Sequence, residues 1–246
     1  MITIKTEHEI ELMRIAGGIT KELLEMLTDS ARPGVTTRHL NTLAYDFIVK
    51  HGAVPNFLGE DGFPATICTS IDEEVVHGYP SARVLEEGML LKIDCGCAYK
   101  GYHSDAARTV PIGRVSEEKL RLAEVCKQSF FKGMEVLRDG VRLGDLGHAI
   151  QSYVESNGCS VVRSLVGHGI GTALHEDPNV PNFGIAGRGT RLTKNMVIAV
   201  EPMINLGVKD VIWTDDDRIV TRDRKASAHY ENTVVIREDG VEILTL

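Results

Sequence analysis

Two aspartates set into a β-hairpin limit what this chain can become. In residues 92–111, KIDCGCAYKGYHSDAARTVP, β-prone runs at 89–99 and 102–112 flank a Lys-Gly turn signal, the pattern of an antiparallel hairpin. With Tyr99-Lys100 as a two-residue turn, Ala98 faces Gly101 and Asp94 faces Asp105. Like charges directly across a strand pair, with Cβ atoms about 4.5–5.5 Å apart, destabilise it. The pair makes sense with a cation between the two carboxylates. The expectation depends on register, because a three-residue turn without a bulge sends one aspartate to the other face.

Such a cation needs further donors, so the informative places are acidic or imidazole side chains on otherwise apolar strands. Glu201 interrupts the run 196–204, and Glu231 sits between Tyr230 and Thr233-Val234-Val235-Ile236. A buried carboxylate is costly unless it is paired or bound to metal. For either glutamate alone, a bend or a solvent-open sheet edge explains it as well. His168 lies in Gly167-His168-Gly169-Ile170-Gly171, where the glycines let backbone approach closely. A phosphate loop is excluded by the GxGxG spacing and by Pro178 and Pro181. His175-Glu176-Asp177 lacks the second histidine of a zincin motif. Together Asp94, Asp105, His168, Glu201 and Glu231 are too acidic for one cation. Two divalent ions would neutralise them, and oxygen-rich donors suit Mn(II), Fe(II) or Co(II). Such a pair activates a water between the ions and clamps a developing oxyanion.

The rest of the chain frames that set. Apolar periodicity predicts helices over 7–27, from Thr36 or Thr37 to His51-Gly52, from Ser116 to about Arg138, and from about Leu143 to Ser156. At a constant offset of 106, Gly34, Val35, Leu40 and Gly52 meet Gly140, Val141, Leu146 and Gly158. Any two amphipathic helices ending in glycine share some of this. A duplicated helix-helix-strands unit explains it more fully, with a cleft between the halves where a site belongs. After Ser160, strands are expected at 161–166, 196–204, 211–214, 218–221, 228–236 and 241–246. The expectation is one α+β domain over 1–246 with internal pseudo-symmetry, its halves about 1–113 and 114–246.

Charge and cysteines narrow the partners. With 27 basic and 35 acidic residues, net −8, nothing marks a nucleic-acid or anionic-membrane surface. No apolar run approaches the length of about 18 residues that marks a spanning helix, and the first residues lack a signal-peptide core. Five cysteines argue against a disulfide framework and for a reducing cytoplasm. Strand alternation puts Cys95 and Cys97 opposite Asp94, which makes them buried structural thiols. The basic run 221–225 reads as a solvated turn rather than a ribosome contact.

Asp94 and Asp105, GHGIGTALHEDPNV around His168, AVEPM at Glu201 and AHYENTVVI at Glu231 resemble the methionine aminopeptidases of the pita-bread metallopeptidase family. The likeness covers nearly the whole chain, including Thr69-Ser70-Ile71-Asp72-Glu73 and Val76-His77-Gly78. The short form, without an N-terminal zinc-binding extension or large insert, is similar to the bacterial type I enzymes. The resemblance implies an antiparallel pita-bread fold with pseudo-twofold symmetry. It implies removal of initiator methionine from nascent chains and peptides when the second residue is small, by a monomeric cytoplasmic enzyme with transient ribosome contact at most. Two divalent ions are implied, Co, Mn or Fe, with Zn admissible. Asp94, Asp105 and Glu231 would hold the first, and Asp105, His168, Glu201 and Glu231 the second. Glu201 would take the proton of the nucleophilic water. His175 would bind the scissile carbonyl or the tetrahedral intermediate, and His77 the substrate amide. Phe63, Cys68, His77, Leu174 and His175 would bind substrate. Glu60, Leu165, Leu174 and Asp217 depart from the family's bulkier pocket residues, and Trp213 lies four residues before Asp217. The alternatives are another pita-bread hydrolase, such as an Xaa-Pro peptidase or one of altered specificity, and a non-catalytic peptide-binding module.

Overall fold

Three helices start where a hydroxyl can cap them, and the fourth starts after Arg142, whose amide donates to Asp145. A computed structural model of the chain describes residues 2–214 and 218–246. Its helices are α1 (Glu7–Ser30), α2 (Thr37–Lys50), α3 (Glu117–Met134) and α4 (Leu143–Ser156). Thr6 forms a capping box with Glu9, and the Thr36 and Ser116 hydroxyls accept from the His39 and Lys119 amides. Helix α3 stops short of the expected Arg138. Val136 and Leu137 donate to Gly133 and Met134, so the last turn tightens and Leu137 enters the core. Helices α2 and α4 start and end at the same offset of 106 residues. Their flanking glycines match in conformation: φ is 91° and 83° at Gly34 and Gly140, and 70° and 73° at Gly52 and Gly158. A left-handed stop after each helix is why both need glycine.

Each helix pair is followed by strands. The first set is β1 (Val54–Pro55), β2 (Ile67–Ile71), β3 (Leu90–Tyr99) and β4 (Tyr102–Pro111). The second begins with β5 (Ser160–Val161), β6 (Gly167–Gly169), β7 (Glu176–Val180), β8 (Val197–Val200) and β9 (Met203–Asn205). It ends with β10 (Val211–Trp213), β11 (Ile219–Thr221), β12 (Ser227–His229), β13 (Asn232–Arg237) and β14 (Gly240–Ile243). Strand β3 has β4 on one side and β2 then β1 on the other. The later strands form the sheets β14-β13-β8-β6-β7 and β12-β9-β5, with β10 and β11 as a ribbon. Leu23, Leu27, Leu40 and Ile48 pack with Ile93 and Cys95 in one core, and Phe130, Leu146 and Ile150 with Val200 and Val234 in the other. All five cysteines are free and buried. Among the described residues no helix is long and apolar enough to cross a membrane. The basic run 222–225 is an exposed turn after β11.

The hairpin register differs from the expected one by a single step of the turn. Tyr99 pairs with Tyr102, so the turn is Lys100-Gly101 rather than Tyr99-Lys100. Both turn residues have positive φ, 48° and 82°, as a two-residue turn matched to strand twist requires, and Tyr99 is better placed in the strand. Asp94 therefore faces Ala107, and Asp105 faces Gly96. The two aspartates stay on one face but as diagonal neighbours, about 7–8 Å apart along such a ladder rather than directly opposed.

Two expected strands are each broken in two. The run 196–204 splits at Glu201-Pro202, and 228–236 splits at Tyr230-Glu231. Pairs Val200·Asn232 and Met203·His229 share one register, so Glu201 and Glu231 sit opposite each other where both strands leave one sheet for another. Pro202 brings no N–H to the ladder there, and its carbonyl accepts from Tyr230. The run 161–166 also ends early, β5 stopping at Val161.

The two halves meet along β4. Ala107 and Glu231 exchange backbone hydrogen bonds of 3.3 and 3.1 Å. At the flanking positions of that register the Thr233 hydroxyl binds both backbone groups of Asp105, at 2.9 and 2.8 Å. The Thr109 hydroxyl likewise binds both backbone groups of His229, at 2.9 and 2.7 Å. Arg108 lies across this seam, donating to the carbonyls of Ala107, Glu231 and Thr245 and stacking 4.4 Å from the Tyr230 ring centroid.

Candidate metal centre

The seam and the two glutamate corners point their side chains into one cavity of about 460 Å³. Phe63, Cys68, His77, Asp94, Asp105, His168, Leu174, His175, Glu201 and Glu231 all line it. Asp105, His168 and Glu231 are buried, while Asp94 is half-buried with one oxygen enclosed. Among the described residues Asp94 Oδ1, Asp105 Oδ1 and Glu231 Oε1 are buried without a hydrogen-bond partner. Leaving one such group unpaired costs about 1–3 kcal/mol, and more when it is charged. Burial pushes the carboxyls of Asp94, Glu201 and Glu231 well above their ordinary range, and the charges of their neighbours push them further. Asp105 is pushed up by burial as well. Divalent cations are the group that fits this set: they satisfy the orphaned oxygens and let the carboxylates ionise.

Two constellations place one donor atom from each residue within 4.8 Å of the others: Asp105, His168 and Glu231, and Asp94, His229 and Glu231. Glu231 is common to both. Glu201 lies beside both imidazoles, 3.9 Å from His168 Nε2 and 3.8 Å from His229 Nε2. Asn182 holds the Glu201 backbone carbonyl at 2.9 Å. His168 Nδ1 donates to the carbonyl of Gly169 at 2.9 Å, which leaves the Nε2 lone pair toward Asp105 and Glu201. Burial lowers the His168 pKa, keeping the ring neutral.

Glycine on both sides of His168 is a packing requirement. A Cβ on Gly167 would collide with the Ala199 carbonyl, and one on Gly169 with the Asp177 carbonyl. Gly169→Ala is expected to destabilise the protein by about 1–3 kcal/mol, as overpacking does. Thermal denaturation beside a metal titration checks this, since the displaced His168 should also weaken metal uptake.

His77 and His175 stand at the mouth. His77 is exposed and left-handed at φ 61°, a strained conformation for a non-glycine residue that lifts the ring to the opening. It follows an irregular segment. His175 packs edge-on against His168 with centroids 4.5 Å apart, and its Nδ1 lies 3.3 Å from Glu60 Oε1. His77, His168, His175 and Glu201 also border a second groove of about 630 Å³, which includes Leu165 and Met203. Trp213, 55% exposed, lines the first cavity with Tyr79, Glu60 and Leu174. Asp217 lies outside the described residues.

Sequence reasoning missed His229, which is 1% exposed and 3.7 Å from Glu231 Oε2 through Nε2. The signal was available, because His229 precedes Glu231 by two residues on a β-prone run. Burial, with the nearby charges of His77, Lys92 and Arg108, pushes its pKa down to about 3. Arg108, Thr109 and Thr233 were also missed. Their hydrogen bonds join residues far apart in the chain, and no local pattern announces them.

Residues 11–238 match metallopeptidase family M24. The chain is 55% identical to a methionine aminopeptidase of Clostridium acetobutylicum, over 100% of this chain and 99% of that protein. It is 45% identical to methionine aminopeptidase 1 of Bacillus subtilis, over 100% of this chain and 99% of the relative. The crystal structure of a methionine aminopeptidase from Thermotoga maritima superposes with a TM-score of 0.98 at 40% identity, covering 100% of this chain and 99% of that one. An X-Pro aminopeptidase of the same organism, 24% identical, shares the fold at a TM-score of 0.77 over 99% of this chain and 62% of its own. With donors converging from both halves and full-length relatives of this kind, the chain belongs to metallopeptidase family M24, the pita-bread metallopeptidases.

Proposed function

We propose that this chain is a dinuclear metalloaminopeptidase that removes N-terminal methionine from nascent proteins and peptides whose second residue is small. The observation that carries the reading is the convergence of four carboxylates and His168, with orphaned oxygens, on one cavity of about 460 Å³. Asp94, Asp105 and Glu231 would hold one divalent ion, and Asp105, His168, Glu201 and Glu231 the other. When bound, the ions supply Lewis acidity and a water that is nucleophilic at neutral pH. The oxygen-rich donors favour Mn, Fe or Co, with Zn admissible.

The protein's own groups do the remaining work. Glu201, half-buried beside both imidazoles, receives the proton of the attacking water and returns it to the leaving amine. His175 donates a hydrogen bond to the oxygen that gains charge, and His77 holds the amide that follows. Glu60 faces His175 Nδ1, which leaves Nε2 for the substrate. Phe63, Cys68, Leu174 and Trp213 offer an apolar enclosure for one unbranched side chain. The groove beyond His77 and Glu201 accommodates the residues after the scissile bond. Free buried thiols fit a reducing cytoplasm.

Hydrolysis of Met-Ala-Ser tests this. The wild type should lose activity on chelation and regain it with Mn(II) or Co(II), and His168→Ala should be inactive while its circular dichroism is unchanged. Full activity in His168→Ala sinks the reading. A peptide library cleaved only before Pro would move the chain to the Xaa-Pro activity, and no metal uptake would make it a binding module.

A further inference from the structure

His229 and His168 stand in the same relation to the carboxylates, although the proposed peptidase chemistry gives His229 no role. His168 Nε2 lies 3.7 Å from Asp105 Oδ2 and 3.9 Å from Glu201 Oε1. His229 Nε2 lies 3.7 Å from Glu231 Oε2 and 3.8 Å from Glu201 Oε2. These separations are too long for hydrogen bonds. They suit donors sharing one cation, since two atoms each about 2.0–2.2 Å from an ion stand roughly 3–4 Å apart. His229 is 1% exposed, and neither ring nitrogen has a hydrogen-bond partner among the described residues. A buried imidazole with both nitrogens unsatisfied is costly unless something fills the space it faces. Asp94 and Glu231 bring donor atoms within 4.8 Å of the same ring.

We propose that His229 is a ligand of the metal position formed by Asp94 and Glu231, so that each of the two positions carries one imidazole. This rests on the dinuclear reading and extends it: the position otherwise made of carboxylates alone gains a nitrogen donor. An imidazole shifts its preference from Mn(II) toward Fe(II), Co(II) and Zn(II). The Asp94 position also becomes able to hold an ion without His168. The other ring nitrogen, Nδ1, lacks the carbonyl partner that orients His168, so His229 is the less firmly held of the two.

Pulsed EPR of Mn(II), added as the metal alone at one equivalent, reads nitrogen coupling without reference to activity. His168→Ala should still bind Mn(II) and still show imidazole nitrogen modulation. The double variants His168→Ala/His229→Gln and His168→Ala/His229→Asn should lose the modulation, and the pair guards against one of them failing to fold. His229→Gln alone should weaken uptake at one position by about 10- to 100-fold or more in calorimetry. If wild type binds Mn(II) with nitrogen coupling but His168→Ala shows none, or binds no Mn(II), the assignment of His229 falls and the dinuclear reading stands. If wild type binds no Mn(II), Co(II) or Zn(II), that reading falls and takes this one with it.

Discussion

Glu201→Gln is expected to lower kcat on Met-Ala-Ser by about 100- to 10,000-fold, the range for removing a positioned general base. Glutamine keeps the shape and one oxygen donor, so the loss falls mainly on proton transfer and on the charge of one position. Steady-state kinetics with metal content measured on the same samples separates the two. Loss of kcat at near-wild-type metal content assigns the proton to Glu201, whereas loss in proportion to metal makes it a ligand first. His175→Ala provides the contrast. It stands at the mouth and is absent from both donor constellations, so it should keep its metal and lose about 100- to 1,000-fold, as when one donor to a developing oxyanion is removed. An unchanged kcat in Glu201→Gln would overturn the assignment.

The second large effect is on stability. In the metal-free protein, burial raises the four carboxyl pKa values above those of the unfolded chain, Asp105 to about 8. The folded state then holds more protons than the unfolded state, whose carboxyls titrate near 4. The contribution of these four groups to stability must fall as pH rises from about 4 through 8. Each extra proton held by the folded state costs about 1.4 kcal/mol for every pH unit climbed, so the total loss is several kcal/mol. Divalent ions reverse the sign by holding the carboxylates ionised, and their uptake releases protons. Melting with excess Mn(II) and with chelator should therefore give two Tm values whose gap widens from pH 5 to pH 8. A gap independent of pH would mean the carboxylates are already ionised without metal.

Much of this centre was legible because its residues break local rules. Asp94, Asp105, Glu201 and Glu231 are charges set in β-prone runs of sequence, and His168 is bracketed by glycines that β7 and β8 demand. The helix starts and the ends of α2 and α4 were legible, whereas α1 runs on to Ser30 and α3 stops at Met134. The hairpin register was misjudged because a Tyr-Lys turn and a Lys-Gly turn place both aspartates on one face; only the positive φ at Lys100 and Gly101 decides between them. The strand breaks at Glu201 and Glu231 were hidden because each run is continuously β-prone, and the corner arises from the change of sheet. His229 escaped because its one signal, a place two residues before Glu231 on a β-prone run, gains weight only when both ring nitrogens are seen to be buried without a hydrogen-bond partner. The side-chain enclosure depends on Phe63, Leu174 and Trp213 arriving from separate segments, which spacing alone does not bring together.

The seam along β4 has a mechanical consequence. In a regular ladder Asp105·Thr233 and Thr109·His229 would be joined backbone to backbone; here a hydroxyl spans each gap, and only Ala107·Glu231 closes directly. Away from this seam, backbone bonds from Val75 to Ile219, Thr221 to Glu73, Ser227 to Asp72 and His103 to Gly171 brace the two halves against each other. The direct closure on the seam carries Glu231, the residue common to both donor constellations. Its backbone is therefore clamped from the other half at the residue itself, and a change at Thr109 or Thr233 would be felt first as a shift of Glu231 against Asp105.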